Sequence, residues 1–306
     1  METASRATFA EFVDTIYTPV VLPKLASSTR IRYQGIIANY LRPQFGKAQV
    51  NAISVLDVDR FLTALAEGDL THESLDKIRD VLSGIFSAAV RYGHLDRNPA
   101  RGIRLPRTKW RRQCKPYITP KQLHSIVATM REPYATMVFT AAWTGLRISE
   151  LVGLRWRNVG PDSITVAERY CRGDWGEPKT QASTATIPVN KSVLSRLQCM
   201  KPGTPDDLVF HTRGGRPLRD NNVLVRHLKP AGRTQGIGWV NWLVLRRSFA
   251  TWLKLAGADV KDAQGLMRHA RASTTLDIYQ QFVPESQRRV VDRLSELLAG
   301  DNEPAP

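Results

Sequence analysis

The 306-residue sequence has few cysteines, only Cys114, Cys171 and Cys199, and they lie far apart. Such an odd-numbered, widely spaced set fits neither a disulfide framework nor a tetrahedral zinc site, so we expect a reduced chain without a structural metal. Uninterrupted apolar runs of ~20 residues are also missing, which argues against a membrane-spanning helix. The first residues, METASRATFAEF, lack the apolar core of a secretory signal. These absences predict a cytoplasmic protein.

Acidic residues are scarce beside basic ones, with 28 Asp and Glu against 44 Lys and Arg, which gives a net charge of +16. This excess favours a polyanionic partner, either nucleic acid or an anionic membrane surface. The lack of long apolar runs makes the membrane the weaker choice. The motifs GxxxxGK[ST], GxSxG and HExxH are absent, and the carboxylates form no obvious metal cluster. We therefore expect no cofactor and no metal, so any chemistry must come from side chains.

The length favours two domains. Helical periodicity predicts a helical domain over residues 1–100, followed by a basic linker over 101–117. Residues 118–306 are predicted to form a mixed domain that ends in a helix at 286–299. Short β-branched runs within 163–189 indicate strands. The predicted fold class is thus mainly α with a small antiparallel β-sheet (α+β).

Two helices are predicted in more detail because their patterns are explicit. A helix that begins at Ser27–Thr29 places Ile31 and Ile37 towards the core, and Pro43 and Gly46 are expected to end it. A second helix is predicted over 147–157. No helix is predicted between 268 and 285.

The segment 98–120 holds four prolines and no acidic residue. It is predicted to be either a solvated hinge or a strap that lies across a phosphate backbone. The basic residues of this segment that we consider candidates for DNA binding are Arg101, Arg104, Arg107, Lys109, Arg111 and Arg112.

Four other segments place charged or reactive side chains within apolar patterns: TGLRISELVGLRW (144–156), GEPKT (176–180), VLRRSFATWL (244–253) and LMRHARASTTLDIYQQF (266–282). Taken singly, each has an ordinary structural explanation, such as a buried arginine–glutamate pair or a surface lysine. Adjacent arginines in a helix point in different directions, so only one of Arg246 and Arg247 should reach a given site.

Together and in this order, the segments resemble the tyrosine recombinase family, the phage-type integrases. TGLRISEL and LRRSFAT are similar to the two arginine motifs of that family, and LMRHARASTTLDIY resembles its stretch from a histidine to the nucleophilic tyrosine. Residues 27–62 resemble the helical core-binding domain, in which Arg30 and Arg32 become candidate DNA contacts. The resemblance covers roughly residues 8–298 and implies a catalytic domain of the DNA breaking–rejoining type.

The resemblance implies a site-specific recombinase or integrase that forms a covalent 3′-phosphotyrosyl intermediate without metal or ATP. Tyr279 would be the nucleophile, and Arg147 and Arg246 would bind the non-bridging phosphate oxygens. His269 would donate a further hydrogen bond, while Lys179 would protonate the departing 5′ oxygen.

One position departs from the family pattern. The family usually carries a histidine three residues before the second arginine, and this sequence has Leu243 there. A leucine cannot accept the proton of the tyrosine. Asn241, Trp242, Arg247 or a water are the candidate replacements.

The resemblance also gives Glu150 a supporting role, the orientation of Arg147. The implied partners are double-stranded DNA with specific recombination sites and further copies of the chain in a tetrameric synapse on DNA. The apolar face of the helix at 286–299 would dock onto a neighbouring protomer. The implied location is the bacterial nucleoid.

Three alternatives remain open at this point. A strand-relaxing enzyme similar to a type IB topoisomerase would use the same chemistry but reseal the same strand. A DNA-binding relative with activity impaired at Leu243 would form no adduct. A structural scaffold would make the net charge incidental.

Overall fold

The computed structural model of the chain describes residues 7–108, 116–177, 184–200 and 203–279 together with 288, 291 and 292. The chain divides into two compact units, residues 1–113 and 114–306. The helices and the short antiparallel strands confirm the predicted fold class. Among the described helices, none combines the length and the apolar character needed to cross a bilayer.

The first unit is helical in its described part. Its α-helices are α1 (Phe9–Phe12), α2 (Ser27–Ile36), α3 (Arg42–Phe45), α4 (Val55–Glu67) and α5 (His72–Arg91). The π-helical stretches Val13–Val21 and Ile37–Leu41 continue α1 and α2. Aromatic rings join these helices in the core, because the ring of Phe9 lies 5.9 Å from that of Phe45 and 6.0 Å from that of Phe86.

The second helix differs from its prediction in two ways. Pro43 does not end the helical run, because this proline lies in the first turn of α3, where its missing N–H is not needed. The run ends at the other predicted residue, Gly46, which caps α3. Ile31 is 48% exposed rather than buried. No residue of α2 is buried, and the chain enters the core only beyond it, at Ile37 and Leu41.

The second unit packs helices around two short antiparallel strand pairs. Its helices are α6 (Pro120–Ala128), α7 (Tyr134–Thr144), α8 (Ile148–Val152), α9 (Lys191–Gln198), α10 (Asp220–Val223), α11 (Lys229–Arg233), α12 (Trp242–Leu255), α13 (Val260–Met267) and α14 (Ala272–Tyr279). Strand β1 (Ser163–Thr165) pairs antiparallel with β4 (Thr186–Pro188), and β2 (Arg169–Cys171) pairs antiparallel with β3 (Asp174–Gly176). The strand-rich segment at 163–189 therefore forms two two-stranded sheets within the described residues.

Helix α8 is shorter than the predicted helix at 147–157, and the cause is Gly153. A Cβ at this position would lie 3.2 Å from the main chain of Arg169. The glycine lets β2 approach the end of α8 closely, so the helix stops at Val152. Helix α14 lies where the sequence pattern predicts no helix.

Several predictions fall on residues outside the described ranges. Lys179 lies there, as do Lys109, Arg111 and Arg112 of the predicted linker. The predicted helix at 286–299 also lies there, except for residues 288, 291 and 292. Residues 101–108 are described and contain neither helix nor strand.

Candidate active site

Arg246 is a buried arginine on α12, and it connects the ends of two other helices. The neighbouring residues Val244 and Leu245 are in the core, which draws this turn of the helix inward. The guanidinium of Arg246 donates one hydrogen bond from Nη1 to the carbonyl of Gly145 and another from Nη2 to the carbonyl of Met267. Arg246 is thereby held between the end of α7 and the end of α13.

Gly145 must be a glycine for this arrangement to form. It follows α7 with a φ of +60°, a conformation that favours residues without a Cβ. A Cβ there would also overlap the ring of Phe249. The glycine of TGLRISEL therefore allows α7 to approach α12 closely.

Arg147 is the N-cap residue that precedes α8, and it is held by Glu150. Its Nη1 donates to Glu150 Oε1 over 2.7 Å, and its main-chain N–H donates to Glu150 Oε2 over 2.9 Å. Arg147 Nη2 donates to the carbonyl of Arg268 over 3.1 Å. Glu150 is buried, whereas the Arg147 side chain is 32% exposed and thus accessible to a ligand.

The chain segment after α13 brings the predicted residues together. Met267 and Arg268 are consecutive, and their carbonyls hold Arg246 and Arg147 respectively. His269 is the next residue. Because neighbouring carbonyls lie within a few ångströms of each other, both guanidiniums and the imidazole belong to one cluster.

His269 is almost fully buried and is held at both its ring and its main chain. Its Nδ1 lies 2.9 Å from the hydroxyl of Thr275, and its carbonyl accepts a hydrogen bond of 3.0 Å from Gln264 Nε2. Burial, followed by the charges of Arg246, Arg147 and Arg268, lowers the pKa of His269 to about 4. The imidazole is therefore neutral at pH 7.

The cluster carries a surplus of positive charge. Burial lowers the pKa of Arg246 to about 9, and the charges of Arg147 and Arg268 add to this effect while Glu150 opposes it. Arg246 is still protonated at neutral pH. Three guanidiniums thus face one carboxylate, an arrangement that favours binding of an anion.

Arg247 points to a different part of the unit. Its Nη1 donates to the carbonyl of Pro116 over 3.1 Å, and the next residue, Ser248, accepts a hydrogen bond from the N–H of Ile118 over 2.9 Å. This face of α12 therefore holds the segment that precedes α6, while the Arg246 face builds the cluster.

Leu243 lies one helical turn before Arg246, and it is 63% exposed. Three of the replacements considered for the family histidine are engaged elsewhere. Asn241 caps α12 by accepting the N–H of Val244, and buried Trp242 donates its indole N–H to the carbonyl of Asp220. With Arg247 on Pro116, a water is the replacement that remains.

Tyr279 is the last residue of α14, and the structure describes only its backbone. Helix α14 packs on both α12 and α13, the helices that carry or precede Arg246 and His269. The helix that ends in Tyr279 is therefore part of the same assembly as the cluster.

Comparisons with known proteins agree with this geometry. The model of the phage integrase family matches residues 116–285, and the model of the phage integrase N-terminal SAM-like domain matches residues 8–66. The chain belongs to the phage integrase family. This confirms the resemblance to the tyrosine recombinases, and with it the prediction of a site-specific DNA recombinase. None of the alternative functions is favoured.

Curated relatives within this family include recombinases of several bacteria. A tyrosine recombinase XerC-like protein of Caldanaerobacter subterraneus subsp. tengcongensis is 22% identical over 95% of this chain and 83% of its own length. The XerD recombinase of Mycobacterium leprae is 29% identical over 89% of this chain and 92% of its own. The ICEBs1 integrase of Bacillus subtilis is 25% identical over 86% of this chain and 76% of its own length.

Solved structures of family members share the fold. The Tn1549 transposon integrase in complex with a circular intermediate DNA has a TM-score of 0.75 at 20% identity, and the match covers 94% of this chain and 99% of the other. A lambda integrase dimer bound to a COC′ core site has a TM-score of 0.70 at 18% identity, and the match covers 91% of this chain and 97% of the other.

The candidate DNA contacts in the first unit of this family member are accessible. Arg101, Arg104 and Arg107 are exposed and, within the described ranges, form no ion pair with an acidic side chain. Arg32 is exposed and Arg30 half-buried on α2, the helix that buries none of its residues.

Two members of the cluster were missed in the sequence, Arg268 and Thr275. Both lie inside the quoted motif, but neither carries a signal that separates it from its neighbours. Arg268 looks like one more basic residue of a basic chain, and Thr275 like one more hydroxyl residue of the run at 273–275.

Proposed function

We propose that this recombinase breaks DNA by attack of the Tyr279 hydroxyl on a phosphodiester, which gives a covalent 3′-phosphotyrosyl bond. The observation that carries the proposal is the hydrogen-bonded cluster of Arg147, Arg246 and His269 around residues 267–269. Two planar guanidiniums and a neutral imidazole can supply donors to both non-bridging oxygens. The helix that ends in Tyr279 packs on the elements that form this cluster.

The roles of the individual groups follow from their contacts. Arg246 already uses two donors on main-chain carbonyls, which fixes its orientation and leaves its other N–H groups for the phosphate. A threonine hydroxyl can donate to Nδ1 of His269, which places the single proton of the neutral ring on Nε2. We assign this Nε2–H to a non-bridging oxygen.

The proton balance involves two further groups. As the tyrosyl oxygen bonds to phosphorus and the bond to the 5′ oxygen breaks, Lys179 gives a proton to that leaving oxygen. The proton of Tyr279 passes to a water beside the exposed side chain of Leu243. The product is again a phosphodiester, so attack by another 5′ hydroxyl reverses the step on a new strand without an input of energy.

We further propose that the partners are double-stranded DNA with specific recombination sites and other copies of this chain. Solved relatives support this, because one is a lambda integrase tetramer bound to a Holliday junction. The division into a helical DNA-binding domain at 1–100, a linker at 101–117 and a catalytic domain at 118–306 belongs to the same proposal. A location in the bacterial cytoplasm, at the nucleoid, is also part of this proposal.

Covalent trapping tests the function directly. Nicked duplexes built from the DNA that flanks the gene are incubated with the full chain, and adducts are counted after denaturation. We expect adducts with the wild-type protein and none with Tyr279→Phe, which removes only the attacking oxygen. Tyr170→Phe is the matched control, because Tyr170 is a half-buried tyrosine of β2 in the same unit.

Two outcomes would contradict the proposal. Normal adducts from Tyr279→Phe would identify another nucleophile, and a lack of adducts from the wild-type protein would favour a DNA-binding relative without activity. Transfer of the trapped strand to a second duplex, rather than resealing of the first, separates recombination from strand relaxation.

A further inference from the structure

Arg268 has an unusual backbone conformation. It caps α13 with a φ of 51°, and the only other non-glycine residue with a positive φ in the described part of the chain is Arg172. A side chain with a Cβ is disfavoured in this conformation, where glycine fits without strain. The presence of an arginine therefore calls for a compensating interaction.

The side chain of Arg268 is buried and ion-paired. Only 1% of the residue is exposed, and its Nη2 donates to Glu150 Oε2 over 2.7 Å. Its Nη1 donates to the carbonyl of Leu266 over 3.2 Å. A buried charge needs an opposite charge, and Glu150 is the carboxylate that supplies it.

Arg268 and Arg147 share this carboxylate. Glu150 Oε1 accepts from Arg147 Nη1, whereas Oε2 accepts from Arg268 and from the main chain of Arg147. In addition, the carbonyl of Arg268 accepts a hydrogen bond from Arg147 Nη2. Arg268 thus acts on Arg147 twice, once through Glu150 and once directly.

We propose that Arg268 is a positioning residue of the recombinase: it holds the Glu150 carboxylate and, with its own carbonyl, fixes the Arg147 guanidinium in the orientation that binds the scissile phosphate. This inference rests on the function proposed above. Arg268 itself has its guanidinium directed at Glu150, so it does not act on DNA.

The electrostatics of Glu150 agree with this role. Burial raises the pKa of Glu150, but the charge of Arg268 and then the hydrogen bonds and charge of Arg147 outweigh it, so the pKa lies below its ordinary value. The charged groups around this carboxylate are Arg147 from α8, Arg268 from the end of α13 and, further away, Arg246 from α12. Loss of Arg268 removes the largest of the lowering effects.

The sign of the expected pH effect follows. Glu150 must be ionised to hold Arg147, so cleavage falls as the pH drops through the pKa of Glu150. Without Arg268 that pKa is higher, and cleavage is lost at a higher pH. A merely structural contact would change the amount of folded protein without moving this acid limb.

The experiment compares four variants of the full chain. Arg268→Gly removes the side chain and relieves the backbone, and Arg268→Met keeps the bulk without a charge. Arg268→Lys keeps the charge. Arg172→Gly is the matched control, because it removes an arginine at the same φ on the exposed turn between β2 and β3. Adduct formation is measured on the nicked duplex at saturating DNA between about pH 4 and pH 8, a range that reaches below the ordinary glutamate pKa of about 4.3.

We expect Arg268→Gly and Arg268→Met to slow adduct formation about 100-fold, the loss typical of a misplaced reacting group, and to shift the acid limb upward. Arg268→Lys should restore the wild-type limb, and Arg172→Gly should keep it. The proposal is refuted if the glycine and methionine variants match Arg172→Gly in rate and in acid limb. A loss of rate with an unchanged limb also refutes it.

A second measurement needs no DNA and separates the inference from the proposed function. In protein labelled with carbon-13 at the glutamate carboxyl groups, the Glu150 signal is followed by NMR as the pH falls. Its midpoint should be higher in whichever of the two uncharged variants folds than in the wild-type protein. An unchanged midpoint overturns the role of Arg268, whereas a wild-type protein that makes no adduct overturns only the proposed reaction.

Discussion

A fall in pH from 7 towards 4 should destabilise the second unit through His269. The folded protein holds the pKa of this buried histidine at about 4, against an ordinary value of 6.5. At pH 7 the ring is neutral in both the folded and the unfolded chain. Between pH 6.5 and pH 4, His269 binds a proton in the unfolded chain but not in the folded chain, so the free energy of unfolding decreases as the pH falls. At about 1.4 kcal/mol for each pH unit, the loss reaches about 3 kcal/mol.

The assay is urea unfolding followed by tryptophan fluorescence at several pH values. Six of the seven tryptophans lie in residues 114–306, Trp110 being the seventh, so the signal reports mainly on the second unit. The wild-type protein is compared with His269→Gln, because glutamine can still bond to Thr275 but does not titrate. The matched control is His124→Gln, at an exposed position of α6 in the same unit.

The quantity to compare is the free energy of unfolding of the wild-type protein minus that of His269→Gln. It should shrink by about 3 kcal/mol between pH 7 and pH 4. A difference that stays constant over this range would mean that the ring is hydrated or paired with a carboxylate in solution. The neutral imidazole assigned to the phosphate would then be wrong.

Three further predictions concern other parts of the cluster and the linker. Arg246→Lys should lower the rate of adduct formation at saturating DNA by about 100-fold or more, because lysine lacks the planar fork of the guanidinium. Arg247→Lys should have little effect. Equal losses would mean that the wrong arginine was assigned to the phosphate. Gly145→Ala should lower the free energy of unfolding by about 2 kcal/mol or more, because of its positive φ and the overlap with Phe249, and an unchanged urea midpoint would contradict this. Replacement of the six basic candidates within 101–112 by glutamine should flatten the dependence of log Kd on log salt, by about 0.9 for each phosphate that the protein no longer neutralises; an unchanged slope would leave the segment a solvated hinge.

Arg147, Arg246 and His269 were predicted because their motifs together resemble those of a known family, and the structure brings the three side chains into one cluster. Arg268 could not be predicted, because its burial depends on a left-handed turn and on Glu150, which lies 118 positions away in the chain. The early end of α8 has a similar cause, since it depends on the approach of β2 to Gly153.

The charge of the cluster also links DNA binding to the state of His269. In the free protein, the charges of Arg246, Arg147 and Arg268 all disfavour a proton on this ring. A phosphodiester bound by two of these arginines would bring a negative charge that offsets theirs, and it would raise the pKa of His269. By linkage, binding then becomes tighter as the pH falls towards the raised pKa of His269 in the complex, and complex formation takes up protons there. The same surplus of positive charge that depresses the histidine pKa in the free protein therefore prepares the site for its anionic ligand.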